Sequence, residues 1–358
     1  MKIFADSFKR WCRILETYQE KGNPIGESLY FDFTTEYVYF GSKDGIGRIK
    51  FYTEKEENDK IVNFFISTNK FLNIITQYDF VFLTNELVLK NGNDKYKLST
   101  IIDDEKIDVS PFMKEFNSKL NFDKDSIEKI ARALMFTNKD EQNTNYRNIF
   151  IQDKFVCSLT TQTPMYEAPI DINENIGLQL NVAKTLTQVG SIAEGCYIMC
   201  GNSNKKIVSR DDEIELIVPS NSSIEFPTNR NQGFIDSYSY STKIKFQTDV
   251  FSKVLSSLRP YFNDVLNAKI SIAINDDITL RVVDSTNEIE KHVSFIDVSE
   301  ELKGKVFSIS GSKLEQALGV LKGKEIYIDL PTNEDSPIVN MYTDDSQHVL
   351  VVRFKNEN

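Results

Sequence analysis

This chain of 358 residues is poor in cysteine and histidine and has no long apolar run. Its four cysteines, Cys12, Cys157, Cys196 and Cys200, are scattered. His292 and His348 lie far from the one close pair, so no zinc-ligand spacing exists, and buried or partly buried thiols are the plainer reading. The N-terminus, Met1-Lys2-Ile3-Phe4-Ala5-Asp6-Ser7-Phe8-Lys9-Arg10, carries charge where a secretory signal needs an apolar stretch, and no later segment is long enough to span a bilayer. A cytoplasmic protein without membrane contact is expected. Also missing are a Gly-rich phosphate loop followed by Lys-Ser/Thr, a Cys/His pair and a nucleophile elbow. The acidic pairs Asp103-Asp104, Asp211-Asp212, Asp276-Asp277 and Asp344-Asp345 sit in turn-like segments, where solvated aspartate is the common case. The expectation is therefore no enzyme, no metal and no cofactor. Positive charge is in deficit: 42 Lys and Arg against 53 Asp and Glu give a net charge of −11. That balance argues against a generally basic nucleic-acid binder and leaves a local basic track open.

What the sequence does contain is a repeat. Asp6, Phe8, Arg10, Trp11 and Leu15 form a pattern that returns as Asp125, Ile127, Lys129, Ile130 and Leu134, and again as Asp249, Phe251, Lys253, Val254 and Leu258. Each copy predicts a helix capped by its acid, with apolar residues at i, i+3 and i+7 on one face. A second pattern follows each first one, at Ser67-Thr68-Asn69-Lys70-Phe71-Leu72, Asn181-Val182-Ala183-Lys184-Thr185-Leu186 and Ser310-Gly311-Ser312-Lys313-Leu314. The two patterns are separated by 61, 56 and 61 residues (67 − 6, 181 − 125, 310 − 249). Three unrelated amphipathic helices would not keep that order and spacing. Alternating runs such as Phe80-Val81-Phe82-Leu83, Glu213 to Val218 and Val349 to Val352 read as half-buried strands, with Asn91-Gly92-Asn93-Asp94 and Asn275-Asp276-Asp277 as hairpin turns. The fold class is α+β, in three tandem domains of helix, strands, helix, strands. They cover 1–117, 118–240 and 241–358, with short linkers near Pro111 to Asn121 and Asn221 to Lys243.

Projection at about 100° per residue puts Arg10, Arg13, Lys129, Arg132 and Lys253 opposite the apolar faces of the first helices. Lys70, Lys184 and Lys313 recur near the start of the second. Any one of these bases is adequately explained as a solubilising residue. Recurring at equivalent positions on an acidic body, they form a candidate surface for the phosphates of double-stranded DNA, with sequence-independent and salt-sensitive affinity.

Together with Lys95-Tyr96-Lys97-Leu98-Ser99-Thr100 closing the first unit, Phe226-Pro227-Thr228-Asn229-Arg230 entering the third, and the C-terminal strand His348 to Phe354, this order resembles the DNA polymerase III β sliding clamp family of bacterial type, in a diverged form. A viral replisome would explain the drift and would place the protein in host cytoplasm. The resemblance implies a homodimeric ring with inner helices and an outer β-sheet, encircling duplex DNA and tethering the replicative DNA polymerase, with a clamp loader as a further partner. It also implies a subunit interface at Tyr96, Leu258 and Phe262, residues that serve equally well as ordinary core. A partner-peptide cleft is implied at Thr160, Met165, Pro227, Leu350 and Val352. There the sequence departs from the family pattern, with Thr161-Gln162-Thr163-Pro164 and Val351-Val352-Arg353-Phe354 in place of the usual segments. The competing reading is a structural or assembly protein of repeated β-rich domains with no DNA at its centre.

Overall fold

The computed structural model describes residues 1–22, 26–56, 62–97, 100–101, 108–116, 118–137, 147–158, 165–220, 240–262, 268–283, 288–331 and 338–354. Helices α1 (Asp6–Thr17), α2 (Thr68–Ile75), α3 (Ser110–Met113), α4 (Lys124–Leu134), α5 (Leu180–Ala193), α6 (Thr248–Phe262) and α7 (Gly311–Val320) are separated by antiparallel strands, an α+β fold. All but the short α3 fall where the two repeated patterns place them.

The inner faces of the helices follow from their apolar spacing, with small corrections. Phe8, Trp11 and Leu15 of α1 are fully buried. In α6 the buried set is Phe251, Leu255, Leu258 and Phe262, and Val254 is only half-buried; in α4, Ala133 is buried where Leu134 was expected. The first shift exchanges an i+3 step for i+4 and the second an i+4 step for i+3, and both positions lie close to the stripe. The acids also sit differently from the expectation. Asp6, Asp125 and Asp249 lie inside the first turn, past the capping position. Ala5 precedes α1, and at α4 it is Asp123 that accepts the Ser126 N–H, at 2.8 Å. A first-turn carboxylate still favours the helix through its dipole, by about 0.3–1 kcal/mol.

The chain packs as two compact units, Met1–Glu128 with Asn181–Ser223, and Lys129–Leu180 with Ile224–Asn358. The first unit holds a five-stranded sheet in the order Thr53–Glu54, Lys2–Phe4, Phe80–Leu83, Val88–Asn91, Asp94–Lys97. Gly92, with φ +57°, makes the last turn of that sheet, as the Asn-Gly signal predicts. The unit also holds a nine-stranded sheet in which Gly45–Lys50 pairs with Ile214–Pro219. Its core is aromatic: Phe31 stacks on Phe64 with centroids 5.2 Å apart, and Phe8 of α1 meets Phe71 of α2 edge-on at 4.9 Å. The segment expected as a short linker is packed: Phe112 of α3 is buried with Tyr30, Tyr39, Phe65 and Ile217.

The second unit holds a thirteen-stranded sheet in which Met165–Pro169 pairs with His348–Phe354. Phe246 stacks on Phe251 of α6 at 4.4 Å, and Phe136 on Tyr166 at 5.9 Å. The strand pairing in each unit therefore joins segments more than 160 residues apart. The two pairings share a register: Ile46 opposite Ile217 and Arg48 opposite Glu215 in one, Met165 opposite Leu350 and Glu167 opposite His348 in the other.

Candidate nucleic-acid interface

Arg10 does not stand free on the outer face of α1. Its Nη1 contacts Asp211 at 2.5 Å and Glu213 at 2.6 Å, and its guanidinium lies 5.0 Å from the Trp11 ring. Glu213 is a hub: Ser7 Oγ donates to Oε1 at 2.5 Å and Trp11 Nε1 to Oε2 at 3.0 Å. Burial disfavours the Arg10 charge, but Asp211 and Glu213 outweigh it and raise the pKa of the guanidinium. Burial likewise works against Asp211, while bonds from Ser209, Arg10 and the Glu213 N–H hold its carboxyl below the usual range. This base is occupied in bracing α1 against the 209–213 turn.

The remaining bases divide by environment. Arg13, Lys70, Lys184 and Lys253 are exposed, with Lys253 3.8 Å from Asp249 one turn earlier. Lys129 is half-buried. Arg132, expected to face solvent, instead turns inward, its Nη1 donating to Gln347 Oε1 at 3.0 Å. Lys313 is half-buried, and burial lowers the pKa of its ammonium group. Four of the eight predicted positions, Arg13, Lys70, Lys184 and Lys253, are thus exposed.

Met165 and Leu350, expected in the peptide cleft, are directly opposed neighbours, 4% and 0% exposed. Val352 lies opposite Ile338, and Thr160 and Pro227 fall outside the described residues. In the first unit the counterpart pair, Ile46 and Ile217, belongs to one hydrophobic cluster with Phe112 of the chain's own linker. Leu258 and Phe262, expected at a subunit interface, are instead core residues of the second unit, 0% and 1% exposed. Tyr96 is half-buried on the edge strand Asp94–Lys97, its hydroxyl 2.7 Å from that of Tyr78.

Among the described residues no group of three or more His, Cys, Asp or Glu is placed to hold a metal ion, and no helix is long and apolar enough to cross a membrane. No family model and no curated protein matches the sequence. Solved structures do match, over the whole chain. The β subunit from DNA polymerase of Streptococcus pyogenes aligns over 99% of both chains, with TM-score 0.78 and 13% identity. The chain has the sliding-clamp fold. A DNA polymerase sliding clamp from Pseudomonas aeruginosa aligns over 99% of both chains with TM-score 0.78 and 10% identity. The DNA polymerase III β subunit from Thermotoga maritima covers 99% of this chain and 98% of its own, with TM-score 0.76 and 13% identity. At such identities it is the sliding-clamp backbone that is shared, and this chain's side chains have to be judged individually.

Two features of this clamp fold were not singled out in the sequence. One is the pair of strands Asp94–Lys97 and Glu288–Val293, which each stand at an end of a sheet among the described residues. The other is the aromatic outer face of the five-stranded sheet. The first needs the strand order, which no local pattern contains; the second needs the register, though the alternation Lys2, Phe4 and Phe80, Phe82 was there to be found.

Proposed function

We propose that the chain is a DNA sliding clamp, a processivity factor that encircles duplex DNA and tethers a replicative polymerase. The observation that carries this reading is the tally of strand edges. Three repeats supply three closing strands, Asp94–Lys97, Ile214–Pro219 and His348–Phe354, and three strands able to receive them, Gly45–Lys50, Met165–Pro169 and Glu288–Val293. Two of these pairings form within the chain and one strand of each kind remains at a sheet end. A second copy placed head to tail consumes both leftovers twice, giving a closed heterologous assembly of two chains and six repeats. On this reading the three segments 1–117, 118–240 and 241–358 are the three clamp domains.

The exposed bases Arg13, Lys70, Lys184 and Lys253 supply the weak, sequence-blind phosphate contacts a sliding ring needs, and closure supplies retention. A tethered polymerase then gains local concentration without a new contact to DNA. No bond is made or broken in this task. A clamp loader is required to open the ring, and a partner peptide would dock near Met165 and Leu350, by analogy with the clustering of Phe112 with Ile46 and Ile217.

The test is retention on DNA. Loaded by a clamp loader onto nicked circular duplex, the protein is expected to stay bound through gel filtration and to slide off once the circle is cut. Equal retention on circular and linear forms would sink the ring.

A further inference from the structure

The five-stranded sheet of the first unit buries Ile3, Val81, Leu83 and Leu89 on one face. Its other face is assembled by the register into two cross-strand rows. Phe4 stands opposite Phe80, and the Phe4 N–H to Tyr52 carbonyl bond of 3.1 Å sets Tyr52 on the other side of Phe4. The next row runs Glu54, Lys2, Phe82, Lys90, Lys95. Residues directly opposed in an antiparallel pair project from the same face. Tyr52 is 56% and Phe82 44% exposed. Phe80 and Phe82 meet edge to face at 5.4 Å, and Lys2 Nζ lies over the Phe4 and Phe80 rings at 4.4 and 4.5 Å.

The fold does not require these aromatics. Counted from the acids that open α1, α4 and α6, the counterparts of the Phe4–Phe80 pair are Asp123–Gly195 and Gln247–Glu325. Two repeats hold the same strands together with small or polar residues there. The charge is equally uneconomical for folding. Lys90 is directly opposite Lys95, a like-charge pair at cross-strand distance that destabilises a hairpin, and neither lysine has an ion pair among the described residues. The row has a single carboxylate, Glu54, which is bound to Lys2 at 3.2 Å. In a protein of net charge −11, a row of aromatic rings beside a row of lysines fits a ligand that is polyanionic and carries flat apolar groups at short intervals.

We propose that this face binds single-stranded nucleic acid. Bases stack on Phe82 and Tyr52 beside Phe4 and Phe80, and phosphates lie between Lys90 and Lys95, relieving their repulsion. Five strands at about 4.8 Å spacing accommodate on the order of three or four nucleotides. Duplex is a poor fit, because its bases present no free ring face. The site lies apart from the helical bases and does not depend on ring closure.

The experiment is fluorescence anisotropy of a labelled twelve-residue oligothymidylate with the full chain, against a duplex of the same length. Binding to the single strand, weakened on the order of tenfold by Phe82→Ala, is expected. Lys90→Glu with Lys95→Glu should weaken it further and flatten its salt dependence. Phe82 and both lysines lie on the solvent face, so circular dichroism should report an unchanged fold. Absence of oligonucleotide binding, binding unaffected by Phe82→Ala, or equal affinity for duplex overturns the proposal. Retention of an acidic peptide without oligonucleotide binding also overturns it and makes the face a protein-docking surface.

Discussion

Arg48 donates from Nη2 to Oε1 of Glu215 at 2.8 Å, across the strand pair that joins the chain's first repeat to its second. Lys206 Nζ reaches the other oxygen of Glu215 at 2.6 Å, and the Arg48 guanidinium lies over the rings of Tyr37 and Phe112 at 4.2 and 4.8 Å. Glu215 is 8% exposed, so its removal leaves two cations facing each other in a region largely shielded from water. Glu215→Ala is expected to destabilise the first unit by about 2–4 kcal/mol. Glu36→Ala, which removes the exposed 3.8 Å pair with Lys55, should cost less than about 0.5 kcal/mol. Urea denaturation followed by circular dichroism separates the two, and equal shifts of the midpoint would refute the shielding argument.

Arg10 and Arg13 should behave differently although they lie three residues apart on α1. Arg10→Ala strips Glu213 of its strongest partner and should lower stability by about 1–2 kcal/mol. Arg13→Glu combined with Lys70→Glu and Lys253→Glu should leave thermal stability nearly unchanged while cutting retention on nicked circular duplex severalfold. Retention that survives the triple reversal would return those residues to the role of solubilising charge.

The contrast between these two arginines marks what the sequence could supply. The 3.6-residue period located the helices and their buried faces, because burial depends on neighbours within a turn or two. Exposure of a base is different. It depends on whether a carboxylate from a distant strand arrives beside it, as Glu213 does at Arg10, or an amide, as Gln347 does at Arg132. The strands themselves were legible from alternation, while the joins between Gly45–Lys50 and Ile214–Pro219, and between Met165–Pro169 and His348–Phe354, were not. Register between remote strands is set by packing of both faces at once, and no local pattern carries it. For the same reason the Phe112 segment looked like a linker: its partners Tyr30, Tyr39, Phe65 and Ile217 come from four different strands.

Two titrations in the third repeat's strands contribute to stability with opposite signs in acid. Burial pushes His348 down to about 4, although Asp345 pulls the other way, and the ring stacks on Tyr342 at 5.3 Å. Burial pushes Asp329 up to about 6, against the Tyr342 hydroxyl and Lys243. The folded state disfavours protonated His348, so its contribution is fully present above about pH 6.5 and is lost as pH falls toward 4. The folded state favours protonated Asp329, so that contribution is present below the usual carboxylate range and is lost as pH rises through 6. Between pH 4 and 6 the two slopes oppose one another. Asp329→Asn should expose the histidine term, with stability dropping by roughly 2–3 kcal/mol from pH 6.5 to 4. His348→Gln should reverse the sign, stability falling as pH rises from 4 to 6. Parallel pH profiles for the two variants would exclude the pairing.

The leftover edges allow the register of a second copy to be specified. Within the chain, Ile217 faces Ile46 and Leu350 faces Met165, each two residues along from the polar cross-strand pairs Glu215–Arg48 and His348–Glu167. Aligning the third repeat through the strand before its second helix, where Lys269–Ser310 matches Ser28–Ser67 and hence Ile272–Leu280 matches Phe31–Val38, makes Glu290 the counterpart of Arg48 and Glu288 that of Ile46. Aligning the first repeat through Leu83–Leu89 and Ile198–Ile207 makes Lys97 the counterpart of Ile217. On the proposed head-to-tail ring, the open joint would set Lys97 of one copy opposite Glu288 of the other, an ion pair in place of the apolar pairs at the closed joints. Charged edges resist unspecific strand pairing, so this substitution selects one partner and one register. Lys97→Glu and Glu288→Lys should each shift the protein toward monomer in analytical ultracentrifugation, and the double variant should recover the dimer. If the double variant dissociates as far as the single ones, the two side chains do not meet and this register is wrong.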